Sequence, residues 1–312
     1  MRSESPSIST RFAADGLTGG RPPAAAFHLD GPTRALDPRI NAYRRDIADV
    51  ALAGTLFAPH YAAPMPRMAR ASAMMRKAPD AAAEAVSQIL PGEGFAAIDV
   101  AGGWAWGYSL HDHYVGFVPA AMLGDPIAPT HRVTASTALL FAGPSIKSAA
   151  LATLPFGAKV AGTMDDGFLA TDSGFIHPRH VASIDARSDD PATVAETFIG
   201  MPYLWGGRGA DGIDCSGLVQ AALAACGIAA PRDTDMQREA LGTALTEDAR
   251  LRRGDIVSFP GHIGLMADES RLIHANAHWM SVVIEPLADV VARLKPNHDR
   301  PILSCRRIET YP

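Results

Sequence analysis

Apolar and polar residues alternate over short stretches through the middle of the chain, and glycine or proline interrupts most of these stretches. Between about residues 67 and 184 the pattern occurs twice, in runs that end on "GFV" around Gly116 and on "GFI" after Gly174. Short strands separated by Gly/Pro turns are typical of small all-β units. The pattern therefore predicts two successive β-barrels, one at 63–124 and one at 129–184.

Apolar residues at helical spacing occur on both sides of this β-rich region. The run "INAYRRDIADVALAGTLF" at 40–57 predicts one helix within an N-terminal extension that covers residues 1–62. Further along, "PATVAETFIG" at 191–200 has proline at its start and glycine at its end, as many helices do. A third domain is therefore expected at 190–312.

The composition is that of an ordinary globular protein. The 312 residues allow two or three domains, 47% of them are hydrophobic, 20% are charged, and the net charge is −5. This balance gives no sign of a nucleic-acid partner or of a basic membrane-binding patch. No apolar run reaches about 18 residues, and the N-terminus lacks a signal-peptide pattern. A cytoplasmic protein is therefore expected.

Three cysteines, Cys215, Cys226 and Cys305, are too few and too scattered for a disulfide framework or a CxxC zinc site. Cys215 lies in "GIDCSG", where Asp214 precedes a helical run at the position of an N-cap. Unpaired N–H groups and the helix dipole favour an anion there, which lowers the pKa of a thiol and stabilises an oxyanion. The pattern predicts that Cys215 is a nucleophile and that the other two cysteines are inert.

A nucleophilic thiol needs a base and a group that orients the base. The stretches "DIVSF", "HIGLM" and "RLIHA" predict three strands joined by short turns, with His262 and His274 on adjacent strands. A hairpin brings the two imidazoles side by side, so that one can act as base while the other fixes its tautomer. His278 is the alternative for this second role.

The segments "PYLWGGRGADGIDCSGLVQ", "PRDTDMQ", "RRGDIVSFPGHIGLM" and "LIHA" together resemble the NlpC-type papain-like cysteine peptidases of bacteria, over about residues 192–290. The two β-rich repeats resemble bacterial SH3-like barrels. The resemblance implies an α+β papain-like catalytic domain preceded by two small all-β SH3-like barrels. It also implies a triad of Cys215, His262 and His274, with Tyr203 beside the nucleophile, and it implies no metal or organic cofactor.

Two barrels ahead of the catalytic domain resemble the γ-D-glutamyl-L-diamino acid endopeptidases of the dipeptidyl-peptidase VI type. That family cuts murein peptides between D-glutamate and the diamino acid when the peptide carries a free N-terminal L-alanine. By this resemblance, Glu93, Tyr114 and Asp214 bind the alanine ammonium, because a buried ammonium needs carboxylates. The implied role is the recycling of murein peptides, and neither nucleic acid nor membrane is an expected partner.

The same resemblance assigns the D-glutamate carboxylate to Ser216, Arg232 and Thr234, because a carboxylate needs arginine or hydroxyl donors. Arg232 has an alternative role in a structural ion pair with Asp233 or Asp235. The second repeat has "TDSGFI" where the first has "DHYVGF". It lacks the tyrosine, and we do not expect it to bind substrate.

Other interpretations stay open at this point. The same triad suits an amidase or an acyltransferase, and the barrels alone would suit a non-catalytic cell-wall binding protein. Trp205 is expected to pack within its own loop. His111, Asp112 and His113 alternate in a β loop, which is more typical of solvated side chains than of a metal site.

Overall fold

The structure, a computed structural model, describes residues 35–308, and it is mostly β-sheet with few helices. The part of the predicted N-terminal extension before residue 35 lies outside the described residues. The strands of the first part of the chain are β1 (Ile47–Asp49), β2 (His60–Ala62), β3 (Met65–Ala69), β4 (Ala73–Arg76), β5 (Ala85–Ile89), β6 (Gly94–Ala101), β7 (Trp104–Ser109), β8 (Val115–Pro119) and β9 (Leu123–Gly124).

Residues 40–57 do not form the predicted helix. Strand β1 pairs in parallel with β2, and a single 3-10 turn follows at Val50–Leu52. Ala42 and Ile47 pack on Trp106 of strand β7, so the apolar side chains of this run are buried from an extended segment. The helix prediction is wrong because tertiary packing of the segment overrides its local periodicity.

Strands β3 to β9 form one seven-stranded sheet in the order β5-β4-β8-β7-β6-β3-β9, with antiparallel pairing throughout. Alternate residues of these strands point into a core that includes Met75, Phe95 and Val118. Strand β5 lies at the edge of the sheet and faces the last part of the chain. This position makes the first sheet a wall of the candidate site described below.

A second β unit has its own core around Val133, Leu169 and Ile176. It consists of a three-stranded sheet in the order β13-β10-β17 and a five-stranded sheet in the order β12-β11-β16-β15-β14. Its strands are β10 (His131–Val133), β11 (Thr137–Phe141), β12 (Ala150–Pro155), β13 (Lys159–Val160), β14 (Thr163–Asp165), β15 (Phe168–Thr171), β16 (Gly174–Ile176) and β17 (Val181–Ser183).

The last part of the chain packs short helices against a six-stranded antiparallel sheet in the order β20-β25-β21-β22-β23-β24. Leu218 and Leu223 of α2 are buried against Ile263 of β22. The elements are α1 (Pro191–Glu196), β18 (Arg208–Gly209), β19 (Gly212–Ile213), α2 (Cys215–Ala225), α3 (Thr234–Ala240), β20 (Thr243–Ala244), β21 (Ile256–Phe259), β22 (His262–Met266), β23 (Arg271–Asn276), β24 (Ser281–Pro286), α4 (Leu287–Leu294) and β25 (Ser304–Arg307).

Several local predictions for this part are confirmed. Helix α2 begins at Cys215, helix α1 has proline at its first position, and the three predicted strands are β21, β22 and β23. Among the described residues, no helix combines the length and apolar character needed to cross a membrane.

Candidate active site

A cavity of about 600 Å³ opens beside the N-terminus of α2 and brings together three parts of the chain. Cys215 lies on it from the last part, Tyr114 from the first sheet, and Arg39 from the segment before β1. Its volume is within the range of small-molecule sites in proteins. We call this cavity the cleft.

The start of α2 fixes the position of the thiol. The Asp214 carboxylate accepts a hydrogen bond from the backbone N–H of Gly217 at 2.7 Å, which confirms the predicted N-cap. Cys215 is therefore the first helical residue, and its side chain is mostly buried at the cleft wall. Its own backbone N–H has no hydrogen-bond acceptor among the residues that the structure describes.

The thiol does not have the lowered pKa that the helix end predicts. Burial, together with the smaller effect of the neighbouring Asp214 charge, raises the pKa of Cys215 to about 12. The N–H groups of Ile263 and Ser216, together with the charge of Arg232, act in the opposite direction but are weaker. Desolvation of a thiolate therefore outweighs the helix end, and the resting form is the neutral thiol.

A hydrogen-bonded relay connects β22, β23 and β24. His262 Nε2 lies 2.7 Å from His274 Nδ1, and His274 Nε2 lies 2.8 Å from Glu285 Oε1. Arg293 of α4 completes the relay by donating to Glu285 Oε1 at 2.5 Å. The predicted proximity of the two histidines is thus confirmed, and Glu285 and Arg293 extend the series beyond what the sequence indicated.

The carboxylate at the end of the relay determines where the protons lie. An ionised Glu285 only accepts hydrogen bonds, so His274 carries its proton on Nε2 and accepts at Nδ1. His262 then carries its proton on Nε2, and its Nδ1 is left as a free acceptor. Asn276 Nδ2 also lies 3.1 Å from His274 Nε2, but the shorter contact with a charged carboxylate is the stronger one.

The relay holds His262 as a neutral base. Burial lowers the pKa of His262 to about 3, and the neighbouring His274 contributes in the same direction. Burial also lowers the pKa of His274, although Glu285 opposes this effect. The resting site therefore combines a neutral thiol with a neutral imidazole, and proton transfer belongs to the reaction itself.

These two pKa values make a testable prediction for alkylation of Cys215 by iodoacetamide. Only the thiolate reacts, so the rate should keep rising with pH beyond pH 9 and show no plateau between pH 4 and pH 7. The labelled Cys215 peptide is quantified by mass spectrometry at each pH, and Cys215→Ala supplies the blank for the other two cysteines. A plateau at acidic pH would reveal a thiolate–imidazolium pair and contradict the neutral resting state.

Asp214 is fully occupied by protein partners. Arg232 donates to its two carboxylate oxygens at 2.9 and 2.6 Å, and the backbone N–H of Gly206 donates at 2.9 Å, besides the N-cap bond. Arg232 is 1% exposed and also donates to Ser216 Oγ at 2.8 Å. Asp214 lies on the cleft as the resemblance implied, but its oxygens are already engaged by these partners and are not free to receive a substrate ammonium. Its placement makes it a structural partner of Arg232 and of the helix end.

Glu93 does not reach the cleft. Its carboxylate is buried and forms a bidentate ion pair with Arg208 at 2.8 and 2.9 Å. It also accepts a hydrogen bond from the backbone N–H of Leu90. This pairing overcomes the cost of burial and lowers the pKa of Glu93 to about 2. Glu93 is therefore not available to contact a substrate ammonium at the cleft, contrary to the expectation from the sequence.

Two carboxylates at the start of α3, those of Asp233 and Asp235, also face the cleft. Tyr114 Oη donates to Asp233 Oδ2 at 2.9 Å, so the tyrosine lies on the cleft as predicted but beside a different acid. Arg39 donates to Asp233 at 2.8 Å, to both oxygens of Asp235, and to Asp37. We call Asp37, Arg39, Asp233 and Asp235 the acidic cluster, which carries a net charge of −2.

Most other predicted contact residues line the cleft. Ser216 and Thr234 lie on it, and Tyr203 does so next to Cys215, where burial raises the tyrosine pKa. Trp205 is largely exposed at its rim and does not pack within its loop as expected. Arg232 is not on the cleft surface, and it contacts two residues that are, Asp214 and Ser216.

Gly206 shows why the loop before Asp214 is rich in glycine. Its φ of +73° is in the left-handed region, and an added Cβ would lie 3.3 Å from Ala85 of β5. The loop therefore passes close to the first sheet while its N–H reaches Asp214. Within residues 35–308, no group of three or more His, Cys, Asp or Glu side chains is arranged to hold a metal ion.

Comparison with known proteins identifies the class of domain around the cleft. Residues 200–293 match the NlpC/P60 family, and residues 75–123 match the bacterial dipeptidyl-peptidase Sh3 domain. The chain therefore carries an NlpC/P60 domain, of a peptidoglycan-related peptidase family, together with a bacterial SH3 domain.

Curated relatives give more particular names. The chain is 30% identical over 146 residues to "Dipeptidyl-peptidase 6" of Lysinibacillus sphaericus, a match over 46% of this chain and 53% of that protein. It is 31% identical over 108 residues to "Gamma-D-glutamyl-L-lysine dipeptidyl-peptidase" of Bacillus cereus, over 32% of each chain. The matches thus span about half and about a third of these two relatives.

A solved structure supports the fold. An NlpC/P60 family protein from Bacillus cereus superposes with a TM-score of 0.65 at 20% sequence identity, over 78% of this chain and 99% of that one. The likeness extends well beyond the NlpC/P60 match, because it covers 78% of the chain. At this identity it bears on the fold alone.

Proposed function

We propose that the protein is a cysteine endopeptidase that hydrolyses the γ-D-glutamyl–diamino acid bond of murein peptides with a free N-terminal L-alanine. One observation carries the proposal. The thiol of Cys215 accepts from the backbone N–H of Ile263, the residue after His262, and lines the same cleft as Asp233 and Asp235. His262 begins the relay to His274 and Glu285, and the two aspartates are suited to an ammonium. The names of the curated relatives agree with this substrate class.

In the proposed reaction, Cys215 attacks the γ-carbonyl of D-glutamate while His262 Nδ1 takes the thiol proton. His262 then gives this proton to the departing amine of the diamino acid, which leaves an acyl-enzyme that water hydrolyses. The free backbone N–H of Cys215 is placed to donate to the oxyanion of the tetrahedral intermediate. His274 and Glu285 hold the tautomer of His262 that this sequence of steps needs.

The substrate's ammonium is proposed to bind at Asp233 and Tyr114. Asp233 uses Oδ2 for Tyr114 and Arg39, and its Oδ1 accepts no hydrogen bond from the described residues. The acidic cluster therefore keeps an available oxygen and a net negative charge, even with Arg39 in place. Asp233 takes the role for which Asp214 and Glu93 are unavailable, while Ser216 and Thr234 are proposed to donate to the D-glutamate α-carboxylate.

We also propose a domain organisation that is consistent with this substrate. The first SH3-like barrel, at 63–124, closes one side of the cleft, and the catalytic domain, at 190–312, has an α+β papain-like arrangement. The β unit at 129–184 is proposed to be a second SH3-like barrel. A free L-alanine amine is present only on peptides already released from the sugar chain, so the proposed role is the recycling of murein peptides.

Substituting Asp233 tests this assignment. Asp233→Asn should raise KM for L-Ala-γ-D-Glu-L-Lys by roughly 10- to 100-fold, because a charge-assisted bond to the ammonium is lost, while kcat changes little. The wild type should prefer this peptide over its N-acetylated form. In Asp233→Asn this preference should be smaller by a similar factor. Both quantities are measured by steady-state kinetics with separation of the products.

Asp235→Asn is the matched control, because it removes the same charge from the acidic cluster but has no contact with Tyr114. It should change KM by less than about threefold, in line with a half-exposed ion pair. Equal cleavage of the free and acetylated peptides by the wild type would contradict an ammonium site and would favour a broader amidase or acyltransferase activity.

A further inference from the structure

A second cavity, of about 320 Å³, lies at the opposite end of α2 from Cys215. Ala225 at the C-terminus of the helix lines it, and the helix of 11 residues separates it from the thiol by about 15 Å. The cavity shares no lining residue with the cleft. The reaction proposed above makes no use of it.

The walls of this cavity come from all three parts of the described chain and are held by backbone contacts. Lys159 of β13 donates its N–H to the carbonyl of Pro91 at 2.8 Å. Gly92 has a φ of +77°, and a Cβ there would lie 2.1 Å from the Lys159 carbonyl oxygen. Only glycine allows this approach, so the contact between the two β units is close and well defined at the cavity.

Positive charge is in excess around the cavity. Four cationic side chains line it, and Glu93 is the one carboxylate that the described lining contains. Glu93 is fully engaged by Arg208, through bonds of 2.8 and 2.9 Å. The other cations are Arg132, Lys159 and Arg187.

These three cations have no carboxylate partner among the described residues. Arg132 donates to the backbone carbonyls of Ala186 and Ala225, and Arg187 donates to those of Ile184 and Ala186. The Lys159 ammonium has no hydrogen bond or ion pair within residues 35–308. Asp112, which also interacts with the Arg208 charge, does not line the cavity and accepts from Gln220 instead.

Crowding of like charges in a partly buried space is unfavourable unless an anion balances it. Burial lowers the pKa of Arg132, and the charge of Arg187 adds to this effect. The Nε2 atom of His111, on the same cavity, is buried and has no partner in the described chain. Unpaired donors and excess positive charge in one cavity are the features of a receptor for an oxyanion.

We propose that this cavity is a binding site for a small oxyanion, a phosphate or carboxylate group, held by Lys159, Arg132 and Arg187. The bound anion neutralises the three cations, which lie on the second β unit and on the segment that follows it. The proposal does not depend on the reaction at Cys215, because it rests on different residues and a separate cavity.

The experiment measures thermal unfolding of the full chain with inorganic phosphate and with citrate, at ionic strength matched with sodium chloride. At about ten times its dissociation constant, a bound anion should raise Tm by about 3 °C. A rise with phosphate alone assigns the site to a phosphate group, and a rise with citrate alone or with both assigns it to carboxylates or to either group.

Lys159→Gln should abolish this rise, since the variant removes a donor that has no other partner. Lys147→Gln is the matched control, because Lys147 is an exposed lysine of the same β unit that does not line the cavity. Lys159→Glu should raise Tm without any anion, because the carboxylate replaces the ligand's charge, and should also be insensitive to phosphate. Absence of a rise in the wild type, or an equal rise in Lys159→Gln, would overturn the proposal.

Discussion

Replacing Cys215 by alanine is expected to lower kcat for L-Ala-γ-D-Glu-L-Lys by about 10⁴- to 10⁶-fold. The methyl group cannot attack the γ-carbonyl, so the route through an acyl-enzyme is lost. Binding should persist, because the acidic cluster and Ser216 are unchanged. The measurement is steady-state cleavage, together with binding of the peptide to the variant by calorimetry.

Cys305→Ser is the control for this substitution. Cys305 is a free, partly buried thiol on β25 and does not line the cleft, so activity should stay within about twofold of the wild type. If Cys215→Ala cleaves the peptide as fast as the wild type, then Cys215 is not the nucleophile and the proposed reaction is wrong.

Replacing Glu285 by glutamine is expected to lower kcat by roughly 10²- to 10³-fold, although this residue has no contact with the cleft. His274 and Arg293 both contact Oε1 of residue 285, so the new amide keeps an acceptor there but loses the negative charge. Without that charge, the Asn276 Nδ2 group, 3.1 Å from His274 Nε2, competes as a donor to this nitrogen and favours the proton of His274 on Nδ1. His262 would in turn carry its proton on Nδ1, where it can no longer accept the proton of Cys215.

Arg293→Gln separates this effect from loss of the ion pair. It breaks the same Arg293–Glu285 contact but leaves the Glu285 carboxylate on His274, so kcat should fall by less than about fivefold. The two variants are compared for kcat and KM, with circular dichroism to confirm folding. Similar losses in both variants would mean that Glu285 matters for packing of α4 and not for the tautomer of His262.

Local patterns predicted the central part of the site well. An acid at an N-cap position, a cysteine after it and apolar residues at helical spacing were enough to define the start of α2. Alternating strands with short turns were enough to place His262 against His274. These features depend on residues near each other in sequence, where spacing and turn chemistry determine the outcome.

Such local patterns could not predict contacts between segments that are far apart in the sequence. Arg39 meets Asp233 across nearly 200 residues, and no local signal links them. Glu93 was expected at the cleft, but whether a turn carboxylate faces a cleft or an arginine depends on how the first sheet docks on the loop of Arg208. Glu285 does have a signal in the sequence. It is an acid that follows the apolar residues of strand β24, and this strand pairs with the strand of His274.

The most direct test is to identify the products formed from L-Ala-γ-D-Glu-L-Lys by mass spectrometry, in water enriched in ¹⁸O. The proposed reaction yields L-Ala-D-Glu and free lysine, with one ¹⁸O atom in the γ-carboxyl of the dipeptide, and no product in the Cys215→Ala variant. Release of free alanine, cleavage at any other bond, or an intact peptide after incubation with the wild type would contradict it.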